Sequence, residues 1–161
     1  GIGECSDGRV RVRAGTSLAE ILNAIIPLGY FLPVVPGSQY VTVGGAIAAD
    51  IHGKNHHVDG SFSAFVEEIV LHAPTGERIV CGPTTEAEIF WGTVGGMGLT
   101  GAIEEATLRL LPIETTLIEV ATTQTMNLAE TLAIVQKTAE QYRYSVSWID
   151  ALATGRSMGR G

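Results

Sequence analysis

Basic residues are scarce in this chain and nowhere form a block: ten Lys and Arg against 17 Asp and Glu leave a formal net charge of −7. That balance argues against a nucleic-acid or anionic-membrane surface. An anionic ligand would have to be held mainly by backbone amides. Cysteine is nearly absent. Cys5 and Cys81 stand far apart with no C-x-x-C spacing, so neither a zinc knuckle nor a disulfide framework is indicated and a reducing compartment is favoured. No apolar run approaches the roughly 20 residues that span a bilayer, and no basic stretch followed by an apolar one opens the chain. A cytoplasmic protein is expected. What is present is core-forming: 45% hydrophobic and 17% charged over 161 residues, the length of one ordinary domain or parts of two. The chain opens on Gly1 and ends in the glycine-rich string GRSMGRG, so a piece of a longer protein is expected.

Residues 9–14 alternate polar and apolar with period 2, which predicts a half-buried strand ending at Gly15. Ser17 with Glu20 three positions on makes a capping box, and Leu18, Ile21, Leu22, Ile25 and Ile26 form the apolar stripe of a helix stopped by Gly29. Residues 31–35 continue as a short extended run. Residues 66–73 and 78–81 flank Pro74-Thr75-Gly76-Glu77, a tight-turn string, and predict a β-hairpin. Thr85 with Glu88 reads as a second capping box, opening a short helix through Phe90 and Trp91. Residues 102–111 read as a strand closed by Pro112. Beyond it, 116–123 is strand-like, Asn127 caps a helix with Glu130 at the third position, Leu128, Leu132, Val135 and Ala139 form its apolar face, and 144–149 is strand-like again. The domain boundary is expected near 112–114, giving 1–112 and 113–161.

The densest chemistry lies in residues 34–60, VVPGSQYVTVGGAIAADIHGKNHHVDG. Gly37, Gly44 and Gly45 lack Cβ atoms where a ligand must approach the main chain, and turns there can aim N–H groups at one anion. His52, Lys54, His56 and His57 follow directly. Further on, Gly96-Met97-Gly98-Leu99-Thr100-Gly101 matches G-x-G-x-x-G, but a helix precedes these glycines and a strand follows, the reverse of the dinucleotide fingerprint. A helix C-cap and a turn into a strand account for it. His52, His56 and His57 invite a zinc-dependent hydrolase as one alternative, although Gly53 and Asn55 suit a helix poorly and the general-base Glu of H-E-x-x-H is missing. A non-catalytic structural domain, whose glycines only turn the chain, is the other.

The strings at 36–38, 41–47, 50–57 and 90–101 together resemble the FAD-linked oxidases of the vanillyl-alcohol-oxidase type, with a PCMH-type FAD-binding domain, and among them the decaprenylphosphoryl-ribose oxidase group. The resemblance is strong over residues 1 to about 112 and looser beyond. It implies an α+β fold: the second subdomain of the FAD-binding domain, with a mixed or antiparallel sheet flanked by helices, then the opening strand-helix-strand of a substrate or cap domain. It also implies FAD as cofactor, with Gly37, Ser38, Val41, Thr42, Gly44, Gly45 and Ala46 along pyrophosphate and flavin, Ile51 and His52 near the isoalloxazine, and Gly98 and Ile103 as further contacts. Lys54 would face the substrate pocket, making His52 and Lys54 the expected catalytic pair, with no metal. Met97 stands where the relatives carry a polar residue, and Ser38 stands for threonine. The arginine-glycine loop of the first subdomain would lie before Gly1.

The resulting expectation is a fragment of an FAD-dependent oxidoreductase that oxidises a secondary alcohol of a sugar or polyol by hydride transfer to flavin N5, inactive alone. A small-molecule substrate and a reductase partner are expected; a nucleic acid or a membrane span is not.

Overall fold

A computed structural model describes residues 1–161. The chain divides into two compact units, Gly1–Thr116 and Leu117–Gly161. No helix is long and apolar enough to cross a membrane.

The first unit is built on a five-stranded antiparallel sheet in the order β1-β2-β6-β4-β5. Its strands are β1 (Ile2–Ser6), β2 (Arg9–Arg13), β4 (Val66–His72), β5 (Arg78–Cys81) and β6 (Ala102–Arg109). Register explains which face is buried. Val12 pairs with Ala106, Ala106 with Ile69 and Ile69 with Cys81, so one row crosses four strands, and all four side chains are at most 1% exposed. The neighbouring positions point outward and carry charge, as in the Arg11–Glu105 and Arg9–Glu67 pairs at 2.8 and 2.6 Å. Such exposed pairs contribute little to stability. Strand β1, with its mostly exposed side chains, was not foreseen from sequence; it is an edge strand without strong alternation.

Helices cover the apolar face. Helix α1 (Leu18–Ile25) starts at Ser17, whose Oγ accepts from the Glu20 amide while the Glu20 carboxylate accepts from the Ser17 amide at 2.8 Å. It buries Leu18, Ile21, Leu22 and Ile25, each contributing roughly 1.5 to 3 kcal/mol. A 3-10 turn (Ile26–Leu28) follows, and Gly29 ends it at φ 82°, a left-handed conformation that glycine adopts without strain. The extended run beyond is shorter than expected: only β3 (Tyr30–Phe31) is a strand, paired with β7 (Leu111–Pro112) in a small second sheet. The long strand ends at Arg109, short of the expected Pro112, and Leu111 and Pro112 pair with β3 instead.

Helix α2 (Val43–Ala48) buries Val43, Ala46 and Ile47, and α4 (Ala87–Thr93) buries Phe90, all in the same core as the sheet. The expected cap of α4 is corrected. Thr85 and Glu88 do not form a capping box; Gly82 and Thr85 exchange backbone hydrogen bonds of 2.7 and 3.2 Å, and the cap position falls to Glu86, with φ 46° and no side-chain cap bond. A closed backbone turn has taken the Thr85 amide that a cap geometry would have left free.

In the second unit, α5 (Leu128–Thr138) is capped as predicted, the Asn127 side chain accepting from the Glu130 amide at 3.0 Å. Glu130 in turn accepts from the Met126 amide at 2.8 Å. The strands expected at 116–123 and 144–149 are absent, since neither stretch belongs to a ladder. A strand needs a hydrogen-bonded neighbour, and Leu117, Ile118 and Val120 stay 69 to 81% exposed instead. On α5 itself Leu128 and Leu132 are exposed and Thr131 is the buried residue.

Candidate functional site

The glycine segment enters α2 under firm constraint. Leu18 N–H donates to the Val41 carbonyl and Val43 N–H to the Thr16 carbonyl, both at 3.0 Å, which pins residues 41–43 beside the start of α1. Thr42 is the cap, its Oγ1 accepting from Gly45 N–H at 3.3 Å. Gly44 N–H donates to the Ala14 carbonyl at 2.8 Å. The amides of Gly44 and Gly45 are therefore already used, contrary to their expected role as anion donors. Those of Gly37, Ser38, Val41 and Thr42 donate to no group of the chain, and Gly37, Ser38 and Thr42 are exposed.

The two glycines of the pair differ in what they permit. A Cβ on Gly44 would stand 3.0 Å from Ala14 Cβ, so any side chain there would have to push back the residue that follows β2. At Gly45 a Cβ would meet only Thr42 Oγ1, at 3.3 Å, and otherwise open space. Neither residue has a positive φ.

A second segment closes on this one. Gly95 N–H donates to the Ile47 carbonyl at 3.1 Å and Met97 N–H to the Ala48 carbonyl at 2.9 Å, tying the loop after α4 to the end of α2. Thr93 Oγ1 lies 2.8 Å from Thr100 Oγ1 across that loop. Strand β6 follows, so the order is helix, glycines, strand, as the sequence predicts. Between the segments is a cleft of about 230 Å³, walled by Gly44, Gly45 and Ala48 on one side and by Thr93, Met97, Gly98, Gly101 and Ile103 on the other.

Of the residues singled out from sequence, the cleft brings together Gly44, Gly45, Gly98 and Ile103. Gly37, Ser38, Val41, Thr42, Ile51, His52 and Lys54 do not line it. Ala46 is wholly buried, and its methyl group packs in the core. Ala48, a small residue beside the glycine doublet, lines it too, and Thr93 and Gly101 do so without having been assigned to the site from sequence. Gly101, with φ 144° and a Cβ position that would collide with the His72 carbonyl, could have been found from its place in the glycine string; Thr93 gave no such signal. A larger hollow of about 350 Å³ lies among Leu71, Ala73, Ile79, Glu88, Ile89 and Thr100. It is aliphatic apart from Glu88 and Thr100, contains none of the glycines, and offers less for binding an anion.

The loop at 50–61 carries the imidazoles. His52, Lys54, His56 and His57 are exposed, while Gly53 and Asn55 are buried. The rings of His52 and His56 are 5.6 Å apart, centre to centre, and those of His56 and His57 5.7 Å, each pair edge to face. No three His, Cys, Asp or Glu side chains converge as metal ligands would, so the zinc alternative gains nothing from the geometry. His72, elsewhere on β4, pairs with Glu104 at 2.9 Å. Burial pushes the Cys81 thiol above its ordinary value, keeping it protonated and poorly nucleophilic.

A family model described as FAD binding domain matches residues 2–82. The decaprenylphosphoryl-beta-D-ribose oxidase of Mycolicibacterium smegmatis is 43% identical over 153 residues, 94% of this chain and 33% of that protein. A Streptomyces coelicolor relative, described as an uncharacterized protein in the mprA 5′ region, is 37% identical over 145 residues, 90% of this chain and 39% of its own length. Cytokinin dehydrogenase 4 of Arabidopsis thaliana is 31% identical over 100 residues, covering 62% of this chain and 19% of that enzyme. The chain spans between a third and two-fifths of the length of the first two relatives.

Proposed function

The chain belongs to the FAD-binding-domain family, with FAD as its cofactor, and from that premise we propose that it forms one wall of the flavin site of an oxidoreductase acting on a secondary alcohol of a sugar or polyol. The cleft at Gly45 carries this reading. At Gly45 a side chain would meet only the Thr42 hydroxyl, at 3.3 Å, and the facing Gly98, whose φ of 81° itself favours glycine, has nothing within 4 Å of a Cβ position. Both line a cleft whose volume of about 230 Å³ is below that of a typical ligand site, roughly 300 to 1,000 Å³. The residues present thus fit a portion of a flavin cofactor pressed against backbone, with the remainder held by another part of the protein.

When bound, the flavin supplies a hydride acceptor at N5. This chain's residues bind and orient. The open amides of Gly37, Ser38, Val41 and Thr42 suit the diphosphate, because successive N–H groups in a turn form an anion-binding concavity. Gly44, Gly45, Gly98 and Ile103 line the cofactor, with Ile51 and His52 towards the isoalloxazine and Ala46 supporting the wall from the core. Lys54 holds a positive charge and a donor toward the substrate oxygen, where negative charge would develop, and His52 orients flavin and substrate. Residues 1–112 are assigned to the second FAD-binding subdomain and 113–161 to the start of the substrate domain. The name of the M. smegmatis relative supports a sugar unit as substrate. The free thiols Cys5 and Cys81 suit a cytoplasmic location, and a reductase is the proposed electron-accepting partner.

The visible spectrum and metal content of the purified complete protein test the class of function. Flavin absorption at one equivalent is expected. A stoichiometric divalent metal without flavin would instead favour a hydrolase, and neither would leave a structural domain.

A further inference from the structure

Asn55 is the buried polar side chain of the 50–61 loop, 0% exposed. Its Nδ2 donates to the Pro33 carbonyl at 2.8 Å and to Asp59 Oδ2 at 2.6 Å. Its main-chain carbonyl accepts from the amides of Val58 and Asp59, both at 2.9 Å. The side chain therefore joins three parts of the chain: the segment before the glycine cradle, the loop itself and the short helix α3 (His56–Asp59). Oδ1 is buried without a hydrogen-bond partner. Such an oxygen is a cost to folding, so stability alone is a poor account of this residue.

Its effect on the neighbouring residues is more telling. Exposure alternates along the loop, with His52 outside, Gly53 inside, Lys54 outside, Asn55 inside and His56 outside. Gly53 is wedged in place, because a Cβ there would stand 2.6 Å from Asn55 Oδ1 and 2.9 Å from the Val35 carbonyl. Its carbonyl accepts from His56 N–H at 3.3 Å, and His56 Nδ1 lies 3.2 Å from the same oxygen. Residues 53 and 55 are thus both fastened inward. The residue between them can only face out.

We infer that Asn55 is a positioning residue for Lys54: its buried amide, tied to Pro33 and Asp59, sets the turn that presents the Lys54 ammonium group on the open side of the loop. The inference rests on the proposed placing of Lys54 at the substrate side of the flavin. It assigns Asn55 no contact with cofactor or substrate.

The midpoint potential of the bound flavin, measured in the complete FAD-loaded protein against a reference dye, reports the Lys54 charge without need of a substrate. A cation held near the ring favours the electron-rich reduced flavin, so losing it or letting it swing away moves the potential down. Lys54→Ala, Asn55→Ala and the double variant form a cycle. Asn55→Ala is neutral for neutral and introduces no charge of its own. Each single variant is expected to lower the potential, and the double variant to match Lys54→Ala alone. Should Asn55→Ala fail to fold, Asn55→Ser, which keeps a small polar group in the same space, runs the same cycle. Additive shifts in the double variant, or an unmoved potential in the Asn55 variant beside a lowered one in Lys54→Ala, would overturn the positioning role and leave the flavin-site reading standing. An unmoved potential in Lys54→Ala would overturn the placing of Lys54, and this inference with it.

Discussion

At the scale of single residues, the glycines held by packing differ from those left open toward the proposed cofactor. Gly44, Gly53 and Gly101 each have an atom of the chain within 3.0 Å of a Cβ position, whereas Gly45 has none nearer than 3.3 Å. Sequence spacing alone could not make that distinction: it picked out the doublet, but only the structure shows that both members line the cleft, that Gly44 is close against Ala14, and that both amides are spent inside the fold. Lys54 is the sharpest of the proposed site residues, its side chain exposed between two buried neighbours. Lys54→Ala should therefore keep FAD and lose substrate turnover by about 10²-fold or more, a drop on the order of that seen when one transition-state donor is removed. Anaerobic reduction of the bound flavin by substrate checks it. Loss of flavin from Lys54→Ala, with normal reduction of whatever flavin remained, would move the residue to the phosphate side.

At the scale of elements, capping was legible wherever no competing backbone turn intervened. Ser17 with Glu20 and Asn127 with Glu130 form the caps their spacing promises. Thr85 with Glu88 has the same spacing and does not, because Gly82 lies close enough to trap the Thr85 amide. Gly82 is itself pressed against β4, its Cβ position 2.6 Å from the Glu67 carbonyl, a tertiary fact that no local pattern carries. Ser17→Ala should accordingly lower stability by about 1 kcal/mol, while Thr85→Ala should leave it nearly unchanged; denaturant titration compares the two. Strand pairing yields a pH prediction. On β6, Glu104 is held below its ordinary value of 4.5, first by its hydrogen bond to Arg78 and then by that to His72. A carboxyl depressed in the folded state binds fewer protons there than in the unfolded chain. Its contribution is complete above about pH 4.5 and disappears as the pH falls through the lowered folded value. Glu104→Gln should thus flatten the acid limb of the stability curve and change little near neutrality, because the group is exposed and its pairs are screened. An unaltered acid limb would mean that the pairing does not persist in solution.

At the scale of the whole molecule, the first unit was readable because its strands and helices carry strong apolar periodicity and meet in one core. The second unit was not, beyond its capped helix. Residues 116–123 and 144–149 have strand composition, but a strand is a property of two segments, and the composition of one does not supply the other. The proposed cofactor site was legible as two separate glycine strings, and their convergence on one cleft is a tertiary result. That convergence is the central claim, and Gly45 tests it because the residue lies in a helix with a negative φ, where a larger side chain is tolerated by the backbone. The measurement is flavin content and FAD titration of the complete protein, wild type beside Gly45→Val, with melting followed on both. The account predicts one tightly held FAD in the wild type and a folded Gly45→Val protein that has lost it, since each 1.4 kcal/mol of contact removed weakens affinity about tenfold. Full, tight flavin occupancy in a folded Gly45→Val protein would contradict it.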